Sequence, residues 1–391
     1  MSSCGQARWA AQSARLREPA FRSGLREDLE RAQTSGSDEL TRSSDGSGVG
    51  RSVMSRVSVL IPTHGDVDLL RRSLPTLLDD PAADVEVIIV NNDPHQDVRA
   101  AIGVYASDRR TTIVEMGFEG DFPRAINRGI ERASGDLVML CNADLFPSPT
   151  YLSTLQDFFN RRARAGAASG KLIRYDLERG EPTNVIDSAG LMLTRQRRLK
   201  ARGEGEVDAG QFDTELEVFG LDGAAVVLRR AALDDIMVDG EYLDENFVAH
   251  KEDHDLSWRV RLAGWECWYV PQAVAYHART TRGLGSTAYL NAIGEFHRQQ
   301  AEKSDSVRRH AMKNQWLLLL KNEDAYNFVR DAPFIVAREL TVLGHNLVFS
   351  PRSLKAIPMT IRILRETLRK RRAAKARQRM DPAALRRWLD D

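Results

Sequence analysis

The 391-residue sequence contains little cysteine. Its three cysteines, Cys4, Cys141 and Cys267, lie far apart and form no closely spaced pair. This spacing excludes both a disulfide framework and a zinc knuckle. We therefore expect the protein to work in a reducing compartment, the cytoplasm.

Long apolar runs are also missing. No run reaches the ~18 apolar residues that a membrane-spanning helix needs. The two best candidates are 316–320, which is too short, and 334–349, which carries Arg338, Glu339 and His345. We expect no helix that spans a bilayer.

Positive and negative charges nearly cancel over the whole chain, whose formal net charge is +1, but they are unevenly distributed along it. Residues 1–56 carry +2 and residues 351–391 carry +9, which leaves −10 for residues 57–350. An acidic body argues against a nucleic-acid-reading surface there, and the basic end has few aromatic residues, so no nucleic-acid partner is expected. The basic end is compatible with binding to anionic lipid.

The first 55 residues are rich in Ser, Gly and Arg and lack the apolar centre of a secretion signal. Such a composition predicts a disordered segment over residues 1–55. A start assigned too far upstream is the alternative, because Met54 comes just before the first convincing strand.

From residue 57 the pattern alternates between strands and helices. Continuous Val, Ile and Leu runs predict buried strands at 57–62, 85–90, 111–116 and 136–141, separated by helices. This alternation is typical of an α/β fold with a Rossmann-like, mostly parallel sheet and helices on both faces. Beyond residue 290 the pattern predicts a C-terminal helical extension, with helices at about 287–320, 326–347 and 353–378. The expected divisions of the chain are therefore 56–290, 291–350 and a basic helix or tail at 351–391.

The turn after the first predicted strand runs from Pro62 to Asp66 and contains only one glycine, Gly65. A dinucleotide-binding dehydrogenase and a P-loop enzyme both need a glycine-rich turn at this point. The sequence therefore favours neither class.

Polar side chains follow the fourth predicted strand in the segment 140–152. An acid just beyond a buried strand can present its carboxylate to a divalent cation that is chelated by a diphosphate. Asp144 is such an acid, and Asn142 points the same way from an extended backbone. The alternative is that both residues form a turn or cap a helix.

Three acids, Glu252, Asp253 and Asp255, crowd the start of a predicted helix. One carboxylate would be enough to cap the helix, whereas several close together raise the pKa of at least one of them, as a general base requires. Capping alone is the alternative. His277 follows at the end of a short strand, where it is either a structural histidine or a metal ligand.

Eight ordered motifs lie between residues 57 and 285: VSVLIPTHG, VIIVNND, GFEGDFPRAINRGI, GDLVMLCNADLFP, SAGLML, VFGLDGAAVVLRRAAL, EDHDLSWRVRLAGW and VPQAVAYH. With these motifs the region resembles the family 2 glycosyltransferases. Within that family it is most similar to bacterial rhamnosyltransferases and galactofuranosyltransferases of cell-envelope polysaccharide synthesis. The resemblance implies the GT-A fold, a nucleotide-sugar donor, a divalent metal (Mn or Mg) and inversion at the anomeric carbon.

The resemblance also implies residue roles. Asp253 would be the general base with Glu252 beside it, and Asp144 and His277 would be the metal ligands. Asn142 stands where the family has the first acid of its metal motif, which removes one charge from the site. Asp255 and Arg259 would lie on the acceptor side. The residues expected at the donor are Thr63, Asp93, Asn127, Asn142, Asp222 and Gly223.

These expectations combine into an inverting transfer of rhamnose or another hexose from a dTDP- or UDP-linked donor. The acceptor would be a hydroxyl of a glycan or of a polyprenyl-linked sugar in cell-envelope synthesis. The alternatives are a nucleotidyltransferase of sugar phosphates and a non-catalytic nucleotide-sugar-binding scaffold. The basic stretch 365–379 is either a solvated helix or a helix that binds the inner face of the plasma membrane peripherally.

Overall fold

The computed structural model describes residues 55–80, 83–279 and 304–390. The expectation of disorder for residues 1–55 concerns residues that lie almost wholly outside this range. The first half of the helix predicted at 287–320 lies outside it as well.

A ten-stranded sheet forms the centre of the protein. Its main strands follow the order β10-β12-β6-β11-β4-β1-β2-β3, while β5 pairs with β12 and β7 pairs with β6. A smaller sheet has the order β13-β8-β9. The strands are β1 (Val57–Thr63), β2 (Val85–Asn91), β3 (Thr111–Glu115), β4 (Leu137–Cys141), β5 (Leu145–Pro147), β6 (Ala165–Asp176), β7 (Glu181–Ser188), β8 (Leu191–Thr194), β9 (Leu199–Ala201), β10 (Leu216–Glu217), β11 (Ala225–Arg229), β12 (Glu266–His277) and β13 (Leu389–Asp390).

Helices connect the strands and continue after them. The six helices of the sheet region are α1 (Val67–Leu78), α2 (Val98–Ile102), α3 (Phe122–Ile130), α4 (Tyr151–Arg161), α5 (Arg230–Ile236) and α6 (Glu252–Leu262). The C-terminal extension contains α7 (Asp305–Asn322), α8 (Ala325–Phe349) and α9 (Ala356–Ala376). Short 3₁₀ helices occur at Gly103–Ser107, Glu245–Phe247, Pro351–Lys355 and Pro382–Trp388.

Both faces of the sheet are covered because successive side chains of a strand point to opposite sides. Val59 and Ile61 of β1 belong to the apolar cluster that includes residues of α1, α2 and α4, whereas Leu60 belongs to the cluster of α3, α5 and α6. A central strand such as β1 is therefore buried on both faces, which explains its nearly unbroken run of Val, Leu and Ile.

Strands β3, β2, β1 and β4 are parallel to one another, and β11 is antiparallel to both β4 and β6. The carboxyl ends of β1, β2 and β4 therefore lie at the same edge as the amino end of β11. This edge is where ligands bind in open α/β sheets. The α/β fold class, with a mostly parallel sheet, helices on both faces and a C-terminal helical extension, is confirmed.

The C-terminal extension packs directly on the sheet region. Leu317 and Leu318 of α7 share an apolar cluster with Trp258 of α6. Lys321 of α7 pairs with Asp244 at 2.6 Å, and Lys370 of α9 pairs with the same carboxylate at 2.7 Å. Part of the basic C-terminal stretch is thus buried and paired, because its charges fix α9 to the body of the protein.

Among the described residues, no helix is both long enough and apolar enough to cross a membrane.

Candidate active site

The pairing of β5 with β12 brings two predicted site residues together. Leu145 lies opposite His277 in this antiparallel pair, and the backbone N–H of Ala278 donates to the carbonyl of Asp144 at 3.0 Å. The imidazole of His277 consequently lies 3.3 Å from the carboxylate of Asp144, measured between Nε2 and Oδ1. Residues 133 positions apart in the chain therefore meet through one strand pair.

His277 is buried and is held from both sides. Its Nδ1 lies 2.9 Å from Oδ2 of Asp187, a fully buried residue of β7, while its Nε2 faces Asp144. Burial alone lowers the pKa of the imidazole, but the hydrogen bonds and negative charges of Asp144 and Asp187 outweigh it and raise the pKa to about 10. Without a bound cation, His277 is therefore protonated at neutral pH.

Asp144 and His277 fit a divalent cation. Asp187 holds Nδ1, so the lone pair of a neutral ring would lie on Nε2, which faces the Asp144 carboxylate. The side chain of Asn142 adds an amide 3.4 Å from Nε2. No group of three or more His, Cys, Asp or Glu residues suited to a metal is found in the described part of the chain. Two protein ligands would therefore leave the remaining positions to oxygens of a substrate or of water.

An acidic pair, Glu252 and Asp253, lies at the start of α6. The backbone N–H of Gly223 donates to Oδ2 of Asp253 at 3.3 Å, and the N–H of His254 donates to Oδ1 at 2.8 Å. A Cβ atom added to Gly223 would lie 3.0 Å from the Cβ of Asp253, which is tighter than nearly all real contacts. Glycine at this position therefore allows the loop 222–224 to approach the carboxylate.

Glu252, the other acid of this pair, has an unusual protonation state. Its Oε2 atom is buried and has no hydrogen-bond partner within the described residues. Burial, followed by the negative charges of Asp253, Asp222 and Asp121, raises the pKa of Glu252 to about 8. Glu252 is therefore mostly protonated at neutral pH, and the neutral form can donate a hydrogen bond.

The Asp144–His277 group and the Glu252–Asp253 pair lie along one edge of the sheet. The N–H of Asn142 donates to the carbonyl of Ala224 at 3.0 Å, and the adjacent Gly223 binds Asp253. The loop before β11 thus connects the segment that carries Asp144 with the start of α6. Asp222, in the same loop, caps it by accepting from the N–H of Ala224 at 3.0 Å.

The loop 246–251 in front of Glu252 has an unusual backbone. Val248, His250 and Lys251 have φ angles of +63°, +67° and +70°, which L-residues adopt only at a cost of about 1–3 kcal/mol each. Asn314 of α7 holds this loop, since its Nδ2 donates to the carbonyls of Phe247, Ala249 and His250 at 2.9, 2.7 and 2.7 Å.

The residues on either side of Asn314 bind the same loop. Lys313 donates to the carbonyl of Asn246, and Lys251 donates to the side chain of Gln315. Asn314 and Gln315 are fully buried. Helix α7 therefore fixes the backbone from which the acidic pair projects.

Thr63 and Asp93, which were expected at the donor, lie at the same sheet edge, after β1 and β2. The hydroxyl of Thr63 donates to Asp66 at 2.5 Å, and Asp93 accepts the N–H of His95 at 2.9 Å. The neighbouring Asn92 has a buried Oδ1 atom for which the described residues offer no partner. A Cβ atom on Gly120 would lie 2.8 Å from that oxygen, so glycine is needed beside it.

Asn127 does not face this edge as the sequence suggested. Its side-chain oxygen accepts the N–H groups of Tyr242 and Leu243, and its Nδ2 donates to the carbonyl of Leu243 and to Glu245. These bonds use the hydrogen-bonding capacity of the amide. Asn127 therefore anchors the segment 242–245 instead of binding a donor.

Asp255 and Arg259 also depart from the expected acceptor-side role. Asp255 is fully buried and binds Arg259, Lys321 and Asn322, each at 2.8 Å. Arg259 uses its remaining N–H groups on the carbonyls of Ile236 and Tyr242. Asp255 therefore joins α6 to α7, and Arg259 joins α6 to the chain that precedes it.

A cleft of about 500 Å³ opens elsewhere on the sheet, between Lys171, Asp208 and Tyr276. Tyr276 points to the side of β12 opposite His277, because neighbouring side chains of a strand alternate. This cleft is therefore separate from the two acidic groups.

Several residues at the site were not expected from the sequence. Asp187 follows Val185 and Ile186 and directly precedes the motif SAGLML, and this position is the signal that could have drawn attention to it. Asn92 follows the second predicted strand and could have been chosen on the same ground as Asp93. Asn314 carries no local signal, because its partners lie more than sixty residues earlier in the chain.

One protein-family model matches part of this chain. Residues 58–236 match the model of Glycosyl transferase family 2. Three curated relatives are similar at low identity. An N-acetylglucosaminyltransferase of Azorhizobium caulinodans is 25% identical over 60% of this chain and 57% of its own length. A poly-beta-1,6-N-acetyl-D-glucosamine synthase of Staphylococcus epidermidis is 23% identical over 56% of this chain and 49% of its own length. An N-acetylglucosaminyl-diphospho-decaprenol L-rhamnosyltransferase of Mycobacterium tuberculosis is 26% identical over 60% of this chain and 80% of its own length.

The chain spans about half the length of the Azorhizobium and Staphylococcus relatives. Among solved structures, the mannosyltransferase PcManGT of Pyrobaculum calidifontis, in complex with GDP-Man and Mn²⁺, aligns over 97% of each chain with 14% identity and a TM-score of 0.47. Residues 1–349 of S. aureus TarS align over 85% of this chain and 91% of that one, again with 14% identity and a TM-score of 0.47.

Proposed function

Because residues 58–236 form a family 2 glycosyltransferase domain, we propose that this protein is an inverting glycosyltransferase that acts on a nucleotide-sugar donor. The proposed donor sugar is rhamnose or another hexose linked to dTDP or UDP. The proposed acceptor is a hydroxyl of a glycan or of a polyprenyl-linked sugar in cell-envelope polysaccharide synthesis. The proposed location is the cytoplasm, at the inner face of the plasma membrane.

One observation carries the proposal: the Asp144–His277 group and the Glu252–Asp253 pair lie at the same edge of the sheet and differ in their chemistry. Asp144 and His277 suit a cation beside a diphosphate, and Asp253 and Glu252 suit a hydroxyl. The hydrogen bond from Asn142 to Ala224 links the first group to the loop that contacts the second. A transfer between a diphosphate and a hydroxyl requires both kinds of group at one site.

We assign the two neighbouring acids different roles. Asp253, held by the N–H groups of Gly223 and His254, is the general base. Glu252, whose pKa is raised to about 8, keeps its proton at neutral pH. Protonated Glu252 can then orient the acceptor by donating a hydrogen bond while Asp253 accepts the hydroxyl proton.

The reaction is a single displacement. The acceptor oxygen attacks the anomeric carbon as its proton passes to the Asp253 carboxylate. The bond from that carbon to the diphosphate oxygen breaks on the opposite side, so the sugar is inverted and the nucleoside diphosphate leaves with the electron pair. When bound, a divalent cation on Asp144 and His277 would neutralise charge that develops on the diphosphate.

Replacing Asp187 with Asn tests the proposed metal ligands. Asp187 holds Nδ1 of His277, and loss of such a carboxylate partner lowers metal affinity about 10–100-fold. Calorimetric titration of Mn²⁺ in the presence of dTDP or UDP should show this loss. Asp176→Asn, in the same hairpin, is the matched control, and unchanged Mn²⁺ affinity in Asp187→Asn would contradict the assignment.

The pKa of Glu252 predicts a pH-dependent stability. Between its usual value of 4.5 and its raised value of about 8, the folded protein keeps a proton that the unfolded chain releases. The stability that the folded protein gains by keeping this proton is therefore lost as the pH rises through that window. Glu252→Gln stays neutral, so its Tm relative to the wild type should increase from pH 5 to pH 9. Glu178→Gln, at an exposed position, should show no such trend, and a constant difference for Glu252→Gln would rule out the raised pKa.

A panel of nucleotide sugars tests the function as a whole. The full chain is incubated with dTDP-rhamnose, UDP-galactofuranose and other UDP-hexoses, with and without Mn²⁺ or Mg²⁺, and release of nucleoside diphosphate is measured. We expect metal-dependent release from one donor. If no nucleoside diphosphate raises the Tm in the presence of either metal, the donor site is wrongly assigned. Binding without turnover, once glycan and polyprenyl-linked acceptors are supplied, would indicate a scaffold.

A further inference from the structure

Helix α8 exposes many large apolar side chains and buries several polar ones. Its buried residues are Asn327, Asp331, Ile335, Val342 and Asn346. Asp331 pairs with Arg197 at 2.9 Å and with Arg386 at 3.0 Å, so the polar side is fixed to the protein by buried charges. A helix that is anchored in this way cannot rotate to bury its apolar side.

The outward side of α8 forms one continuous stripe. Val329, Val336, Leu340 and Leu347 are spaced by seven, four and seven residues, which places them on one side of a helix over about 27 Å. Their exposed fractions are 73%, 44%, 62% and 62%. Twelve of the sixteen large apolar side chains that are exposed in the described residues lie on α8 and α9.

The chain passes from α8 through the short helix Pro351–Lys355 directly into α9, which exposes Ile357, Ile361 and Leu368 at helical spacing. Arg365 and Arg372 follow Ile361 and Leu368 by one helical turn each. We call the stripe of α8 together with these three apolar side chains of α9 the apolar face. Surfaces of this kind mark interaction sites, because single exposed apolar residues are common but contiguous ones are rare.

The charges beside the apolar face have one sign. Five exposed cations between residues 352 and 372 make no ion pair with any carboxylate in the described part of the chain: Arg352, Lys355, Arg362, Arg365 and Arg372. The only acids between residues 325 and 376 are Asp331, Glu339 and Glu366, and each is ion-paired within the protein. A partner for this face must therefore be apolar and anionic.

We propose that the apolar face docks on an anionic lipid bilayer, with α8 lying along the surface. A bilayer offers hydrocarbon to the stripe and negative headgroups to the five cations, as amphipathic surface helices require. A second copy of this chain fits less well, because a two-fold contact through this face would bring two sets of unpaired cations together. The proposal rests on the proposed function for its purpose, since a polyprenyl-linked acceptor lies at such a surface.

Vesicle flotation tests this docking with the full chain. Phosphatidylcholine vesicles with and without 30% phosphatidylglycerol are compared at low and high salt. We expect at least tenfold stronger binding to the anionic vesicles, weakened by salt. Arg362→Gln combined with Arg365→Gln should bind about 30-fold more weakly, at about 1 kcal/mol for each arginine.

Substitution of the stripe gives the second arm. Val336→Ser, Leu340→Ser and Leu347→Ser together should reduce vesicle binding at least tenfold at either salt concentration. The matched control replaces exposed apolar residues elsewhere, Val104→Ser and Val207→Ser, and should bind like the wild type. An unchanged Tm in all variants shows that they fold.

Three results would overturn the proposal: no binding of the wild type to anionic vesicles, equal binding by the stripe variant, or equal loss in the control. If sedimentation velocity instead shows self-association that the stripe variant abolishes, the face is an interface between copies. Nucleoside diphosphate release with a water-soluble acceptor should be unchanged in the stripe variant. Failure of docking and failure of the proposed enzyme activity are thereby told apart.

Discussion

Asp253→Asn is expected to lower kcat about 10²–10⁴-fold, the range that a positioned general base contributes. Asparagine has nearly the same shape and keeps one oxygen that can accept the N–H of Gly223, so the loop 222–224 should stay in place, although the N–H of His254 then loses its acceptor. It cannot take a proton from the acceptor. Binding of Mn²⁺ and the nucleoside diphosphate should therefore remain at the wild-type level while turnover is lost.

Two comparisons make this result specific. Asp157→Asn, at an exposed position on α4, should keep full activity. Glu252→Gln keeps a hydrogen-bond donor beside Asp253 and should lose less activity than Asp253→Asn. A larger loss in Glu252→Gln would exchange the roles of the two acids, and full activity of Asp253→Asn would remove the base from the mechanism.

Asn314→Ala is expected to lower kcat about 100-fold although the residue lies on the C-terminal extension. Its amide binds three carbonyls of the loop 246–251, and alanine would leave these groups without their donor at a cost of about 1–3 kcal/mol. The positive φ angles at Val248, His250 and Lys251 would then relax. A shift of about 1 Å in the acidic pair is enough for a loss of this size.

The control for Asn314→Ala must lose stability without touching the loop. Met312→Ala removes a buried side chain from the same helix, one that packs with Val342 and Ala356, and should cost about 2–5 kcal/mol. Assayed well below both Tm values, Met312→Ala should keep near-normal kcat. If both variants lose kcat equally, α7 contributes only stability, and the positioning role is wrong.

The sequence predicted the sheet region well because its signals are local. The Val and Ile runs at β1, β2 and β4 are apolar on both faces and end within a few residues of their predicted limits. Asp144 and Asp222 lie at one edge because the carboxyl end of β4 shares that edge with the amino end of the antiparallel β11. The hydrogen bond from Gly223 brings Asp253 to the same edge.

The errors come from contacts between distant segments. Asp255 lies two residues after Asp253, so its sequence position suggested the same site, but the turn of the helix points it at Lys321. The hydrogen bonds of Asn127 could not be read from the sequence either, because its partners at 242–245 are more than a hundred residues away. Neither the burial of Asp187 nor its contact with His277 could be read from local pattern, because both depend on the register of β7 and β12 with β6.

The hold of α7 on the loop 246–251 has a consequence for synthesis of the chain. The sheet strands through β12 emerge from the ribosome before residue 314 does, and domains begin to fold as they emerge. A nascent chain at that stage has Glu252 and Asp253 on a backbone that nothing yet holds in its left-handed conformation. The acidic pair would therefore be positioned late, when α7 packs against a sheet region that has already folded.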